Sequence, residues 1–246
     1  MKGAVRSMFI PIVFGLVGLF LIGAFSTSEA SSAEAASEIL NKIRWYGHDT
    51  FRIDVGMVIY TDPFRIEHED TADIILVSHE HYDHCSPEDI KKLSGPDTVI
   101  VAPKQCKGKL SGKVVFVEPG GITNVNRIQI EAVPAYNVNK QFHPRDRGGV
   151  GFVITAGGVR VYFAGDTDRI PEMKELEVDI ALLPVSGTYV MNPEEAAAAV
   201  ADMQPRYVIP MHYGSIVGTV SDAKRFEQLV KCELKGKVEV KILEHK

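Results

Sequence analysis

His79-Glu80-His81-Tyr82-Asp83-His84 puts five metal-ligand side chains into six consecutive positions and holds three of the chain's eight histidines. Just before it comes Asp73-Ile74-Ile75-Leu76-Val77, a nearly continuous apolar run that reads as a strand buried on both faces. Just after it, Ser86-Pro87-Glu88-Asp89 carries a helix start: Ser as N-cap, Pro at the first helical position and acids in the first turn. The six residues therefore occupy a strand-to-helix turn. In a core they would strand several imidazoles and carboxylates without partners, and a chance solvated loop is seldom this rich in histidine. Imidazole and carboxylate donors together suit zinc, with manganese or iron as alternatives. The zinc-protease pattern H-E-x-x-H fails, because Asp83 stands where the second His is needed and the segment abuts a strand rather than lying within a helix.

Outward from this turn, strands and helices alternate. Ile43–Val55 reads as a strand pair broken near Gly47-His48, and Met57–Thr61 as a short strand ending at Asp62-Pro63. Thr98–Ala102, Lys113–Val117, Asn126–Val133, Gly151–Thr155 and Val159–Ala164 read as strands, with Ala156-Gly157-Gly158 as a hairpin turn. Asp179–Pro184, Arg206–Pro210 and Val238–Leu243 add three more. Helices are expected from Pro87 to near Gly95, from the Asn192 cap to Met203, and over Ser221–Lys231. No repeat or long linker divides residues 42–246, so the reading is one α/β domain with much antiparallel pairing.

The spacing of His79, His81, Asp83 and His84 resembles the H-x-H-x-D-H signature of the metallo-β-lactamase superfamily. Three further segments resemble family motifs in the same order at expected strand ends. They are Asp62 after its strand, Phe163-Ala164-Gly165-Asp166-Thr167, and Pro210-Met211-His212-Tyr213-Gly214. The resemblance spans about residues 42–246 and implies a four-layer αββα sandwich. It also implies one metal on His79 and His81 and a second on Asp83, His84 and His212, with Asp166 between them. Zinc is the implied metal, as two ions. Asp62 is implied as a supporting group, though an Asx turn before Pro63 explains it equally well. His48, in Trp45-Tyr46-Gly47-His48, is similar to a Gly-His turn of lactonase-like branches and reads as structural or supporting.

One position departs from the pattern. Many members carry a histidine in a segment similar to Pro-Ala-x-His, whereas this chain has Pro134-Ala135-Tyr136-Asn137. Asn is a poor zinc ligand, so His143, six residues on, is the candidate replacement at the first metal. The implied activity is a metal-dependent hydrolase in which a metal-bound hydroxide cleaves a small ester, lactone or phosphodiester. Asp83 and Asp166 are the candidate catalytic carboxylates, Asp83 as a group able to orient or deprotonate the water. An exported metal- or ligand-binding protein with a degenerate site is the alternative that the Asn137 departure favours; an iron oxidoreductase on the same scaffold is a third. Gly187–Met191, Tyr136 and Tyr213 are candidate substrate walls. Arg145 and Arg147 are candidate anion contacts, with a solvated loop at least as good a reading for both, and Ser186 lies near the expected site edge.

Composition bounds these readings. The chain has 246 residues, 27 Lys and Arg against 32 Asp and Glu, and a net charge of −5. That balance argues against nucleic acid as a stable partner; the small-molecule substrate is what the resemblance implies. At the N-terminus Lys2 and Arg6 precede an uncharged run from Met8 to Phe25, followed by small residues with Ser28-Glu29-Ala30 and Ala33-Glu34-Ala35 as cleavage signatures. Residues 1–35 thus read as a signal peptide, or as a retained membrane anchor, since a spanning helix needs about 17 residues. Residues 36–246 are then the hydrolase domain, periplasmic, extracellular or membrane-attached. Cys85, Cys106 and Cys232 permit at most one disulfide, and their spacing selects no pair. His68 and His245 lie among charges and read as solvated.

Overall fold

The computed structural model describes residues 30–67 and 69–246. The apolar run Met8–Phe25 and His68 lie outside the described residues, and among those described no helix is long and apolar enough to cross a membrane. Among the described residues thirteen strands form two sheets. The first has six, in the order β1 (Ile43–Trp45), β2 (Phe51–Asp54), β3 (Val58–Thr61), β4 (Ala72–Leu76), β5 (Ser94–Pro103) and β6 (Lys113–Val117). The second has seven, ordered β13-β12-β11-β10-β9-β8-β7. They comprise β7 (Ile122–Val125), β8 (Ile128–Pro134), β9 (Val150–Ala156), β10 (Val159–Phe163), β11 (Ile180–Pro184), β12 (Tyr207–Met211) and β13 (Glu239–Val240).

Strand periodicity explains the layering. On β4, Ile74 and Leu76 enter the large core that faces the second sheet, while Ile75 and Val77 face the other way. There they meet Ile90 and Leu93 of helix α2 (Pro87–Leu93). Phe152, Ile154, Val161 and Phe163 of the second sheet belong to the same large core as Phe51, Ile53 and Ile59 of the first. On the second sheet's side pack α3 (Pro193–Met203) through Ala196 and Val200, and α4 (Val220–Leu234) through Phe226 and Val230. The result is the four-layer αββα sandwich, with α2 on one side and α3 and α4 on the other. Both capped helix starts read from sequence are present: Ser86 accepts from the Asp89 amide, and Asn192 forms a reciprocal box with Glu195.

Three boundaries differ from expectation. β7 is an additional strand; its Ile122 is 61% exposed, so it shows no buried alternation to read. The C-terminal strand shrinks to Glu239–Val240, and β5 is twice the expected length because its Ser94–Thr98 start is mostly exposed. A helix α1 over residues 30–40 inserts Ala36 and Leu40 into the large core, and Arg206 Nη2 donates to Ser32 Oγ at 3.1 Å. All three cysteines are free thiols. Cys85 packs in the smaller core with Cys106.

Candidate metal centre

The site lies where strands end. The turn after β4 supplies His79, His81, Asp83 and His84; the ends of β3, β10 and β12 supply Asp62, Asp166 and His212. Asp62, His48 and His212 all sit in the left-handed backbone region, at φ 34°, 49° and 60°. Residues without glycine's freedom hold that conformation only where surroundings over-determine it, and such positions concentrate at functional sites. Gly165 (φ 61°) is obligatory in its turn, because a Cβ there would lie 2.8 Å from Ser78 Cβ.

Two donor sets emerge. In the first, His79 Nε2 lies 2.8 Å from His81 Nδ1, and His143 Nε2 lies 3.2 Å from the same atom and 3.3 Å from Asp166 Oδ2. Ring nitrogens this close to one another all face one point. In the second, Asp166 Oδ1 is 3.2 Å from His212 Nε2 and 3.5 Å from His84 Nε2, with Asp83 Oδ2 3.6 Å from His84 Nε2. Asp166 thus reaches both sets, one oxygen to each. The structure brings six of the residues named from sequence into these clusters, His79, His81, His84, His143, Asp166 and His212, and sets Asp83 at their edge beside His84 and His48.

A surrounding layer fixes these groups. Asp62 accepts from the Ser78 amide at 2.7 Å and from Ser78 Oγ, and its Oδ2 lies 2.8 Å from His84 Nδ1. Ser78 Oγ is 2.9 Å from His79 Nδ1, and Ser186 Oγ is 2.8 Å from His212 Nδ1. Each bond holds the outer ring nitrogen, so Nε2 faces the centre. Asp62 therefore supports the site rather than merely closing a turn. His48 Nε2 contacts Asp83 Oδ2 at 3.1 Å, and Trp45 Nε1 donates to the His48 carbonyl.

Asn137 has a role the sequence did not disclose. Its Oδ1 accepts from the His143 amide at 3.1 Å and lies 3.2 Å from His143 Nδ1, while its Nδ2 donates to the Tyr189 carbonyl at 2.8 Å. Asn137 turns no atom to the centre; it clamps His143, whose Nε2 faces it. Asp49 was missed altogether. It is fully buried, both carboxylate oxygens lack hydrogen-bond partners, and it groups with His84, Asp166 and His212. No motif marks it, since an Asp after Gly-His is an ordinary turn residue.

The electrostatics suit a cation. Burial pushes His79 well below the ordinary imidazole value and His48 down to about 4, leaving both neutral donors. Burial works against the charge of Asp166, yet the imidazoles of His212 and His84 hold its carboxyl well below the usual range. His84 Nε2 and one oxygen of Asp166 are buried without a hydrogen-bond partner. Buried polar atoms are rarely left so, and a bound ion would satisfy both.

Some expected walls are elsewhere. Tyr213 is buried against Trp45, and Tyr136 is buried with its hydroxyl donating to Glu172; neither lines the cavity of about 220 Å³ over the centre. That cavity is walled by Tyr82, Phe142, Tyr189 and Ile216. Arg145 is engaged by Glu172 at 2.7 Å. His245 is exposed as expected, but its ring packs edge-on against Trp45.

A family model described as a beta-lactamase superfamily domain matches residues 42–212. A "UPF0173 metal-dependent hydrolase" of Thermococcus onnurineus is 33% identical over 211 residues, covering 77% of this chain and 92% of that one. A crystal structure of a candidate metal-dependent hydrolase from Parabacteroides distasonis is 34% identical with a TM-score of 0.73, covering 83% of this chain and 93% of its own. Igni18, a metallo hydrolase of Ignicoccus hospitalis, is 26% identical with a TM-score of 0.68, over 82% of this chain and 94% of its own.

Proposed function

Since this chain belongs to the metallo-β-lactamase superfamily and is a metal-dependent hydrolase, we propose that it cleaves a small ester, lactone or phosphodiester using two zinc ions. The observation that carries this reading is the pair of donor sets joined through the two oxygens of Asp166. His79, His81 and His143 hold one ion; Asp83, His84 and His212 hold the other. Manganese or iron suits the same donors. Bound there, divalent cations acidify a water and polarise the scissile carbonyl or phosphoryl oxygen. Should it ligate only weakly, Asp83, whose side chain is 14% exposed at the cavity and whose Oδ2 meets His48, would instead orient that water and take its proton. Tyr82, Phe142 and Tyr189 wall the cavity in which the reacting group would sit. The degenerate-binder reading loses its main support, because Asn137 positions His143 rather than vacating a ligand position.

We also propose that the chain is exported or membrane-attached through Lys2, Arg6 and the apolar run Met8–Phe25. Because α1 anchors residues 36 and 40 in the core, processing at Ser28-Glu29-Ala30 leaves the packed helix whole, whereas processing after Ala35 removes half of it. Mass analysis of the chain's N-terminus in separated cell fractions checks this; an intact N-terminus in the cytosolic fraction contradicts it.

Metal analysis and a panel of chromogenic lactones, carboxyl esters and phosphodiesters test the hydrolytic reading. Turnover lost on chelation and restored by zinc or manganese is expected; purified chain without transition metal and without turnover on the whole panel overturns it.

A further inference from the structure

A smaller cavity, of about 70 Å³, adjoins the centre at His79, His81, His143 and Asp166 and reaches Gln105, Arg147 and Gly149. A single water needs about 10–15 Å³ of such space, so a compact group such as a carboxylate or a phosphoryl fits. Gln105 lies in the turn after β5, and its Nε2 is buried with no hydrogen-bond partner. An amide with two donors and no acceptor is costly to keep in a folded chain. Gly149 leaves the space beside it open: a Cβ there would lie 3.7 Å from Gln105 Nε2, 3.8 Å from His79 Cβ and 3.0 Å from the Ala135 carbonyl.

Arg147 is the lining cation of this cavity, and Glu80 and Asp166 are its carboxylates. Glu80 is faced by Lys109 Nζ at 3.4 Å and Arg147 Nη2 at 4.0 Å, two cations against one anion. Asp166 lies at the centre, where the proposed ions offset it. The Arg147 side chain is 70% exposed, so its guanidinium has donors to spare.

We propose that this cavity is a subsite for a compact anionic group of the substrate, a carboxylate or phosphoryl group whose oxygen accepts from Gln105 Nε2 while Arg147 faces its charge. The assignment rests on the hydrolytic reading of the adjoining centre and narrows it: the substrate carries an acidic group next to the bond that is cleaved. Gln105 and Arg147 are then specificity residues, and Gly149 keeps their pocket open.

The test is calorimetric titration of acetate and of inorganic phosphate into metal-replete wild type, Gln105→Leu, Gln105→Glu and Arg147→Ala, with metal content measured for each. At least one anion binds wild type. Gln105→Glu, nearly isosteric but charged, weakens it roughly 10- to 100-fold, as loss of a charge-assisted hydrogen bond does, and Gln105→Leu weakens it less. Arg147→Ala weakens binding and flattens its salt dependence. Metal content stays unchanged throughout. Tighter acetate marks a carboxylate subsite and tighter phosphate a phosphoryl one; both support the proposal. Equal affinity in wild type and Gln105→Glu overturns it, as does no binding of either anion, or metal loss in Gln105→Leu, which would make Gln105 a support for His79. The titration needs no turnover, so an inactive substrate panel counts against the hydrolytic reading without deciding this one.

Discussion

The two donor sets differ in how they are built. His84 and His212 are buried and braced from strand ends: Asp62 holds one ring, and Ser186 holds the other. In the set of His79, His81 and His143, the first is braced by Ser78, but His81 is exposed and His143 comes from a loop. That loop is fastened by Asn137, by the Tyr189 carbonyl and by the Lys140–Asp168 ion pair. The strand-end set inherits its geometry from the sheets. The loop set depends on a few hydrogen bonds made outside them, so its affinity can be altered without disturbing the fold.

The largest effect should come from the residue the sets share. Asp166→Ala is expected to empty both positions of the proposed two-ion site and reduce turnover to background; metal content by mass spectrometry checks it, and retention of both ions would break the symmetry assigned to Asp166. Next come the two supports. Asp62→Asn and Asn137→Ala should each lower metal affinity about 10- to 100-fold, the first only at the His84 set and the second only at the His143 set. Competition against a chromogenic chelator resolves the two steps, and a loss at the same step in both variants would erase the distinction.

Acidity should separate the sets further. Burial disfavours a charged His84, but Asp166, Asp62 and Asp49 outweigh it and hold its pKa well above the ordinary value. Burial instead pushes His79 and His143 down. In the metal-free protein the raised His84 pKa contributes stability that is full below the unfolded value and is lost as pH rises through the folded one. An ion must displace that proton, so affinity at the His84 set should fall more steeply with acidification; proton release measured in two buffers during titration reads it. The smallest effect is Lys140→Ala. It should loosen the loop, cost about 1 kcal/mol in thermal unfolding, and weaken only the His143 set by a few-fold.

What the sequence disclosed follows the same division. The strand-end set was legible because each candidate ligand follows an apolar run within a recognisable motif: His84 seven residues after Asp73–Val77, Asp166 two after Val159–Ala164, His212 two after Arg206–Pro210. The fold was legible for that reason too, since β4 alternates its apolar residues between two cores. His143 could be named only by noticing what Asn137 lacks, and the bond from one to the other carries no sequence signal. Asp49 and Gln105 were invisible, because burial without a partner is a property of packing. Strand β7, facing solvent at Ile122, was missed where the pattern has nothing to bury.

The most direct test is a crystal structure of the metal-loaded chain with anomalous scattering collected at the metal's absorption edge. Two peaks are expected, one ringed by His79, His81 and His143 and the other by Asp83, His84 and His212, with one Asp166 oxygen toward each. A single peak, or His143 turned away from an ion that His79 and His81 hold, would contradict the account.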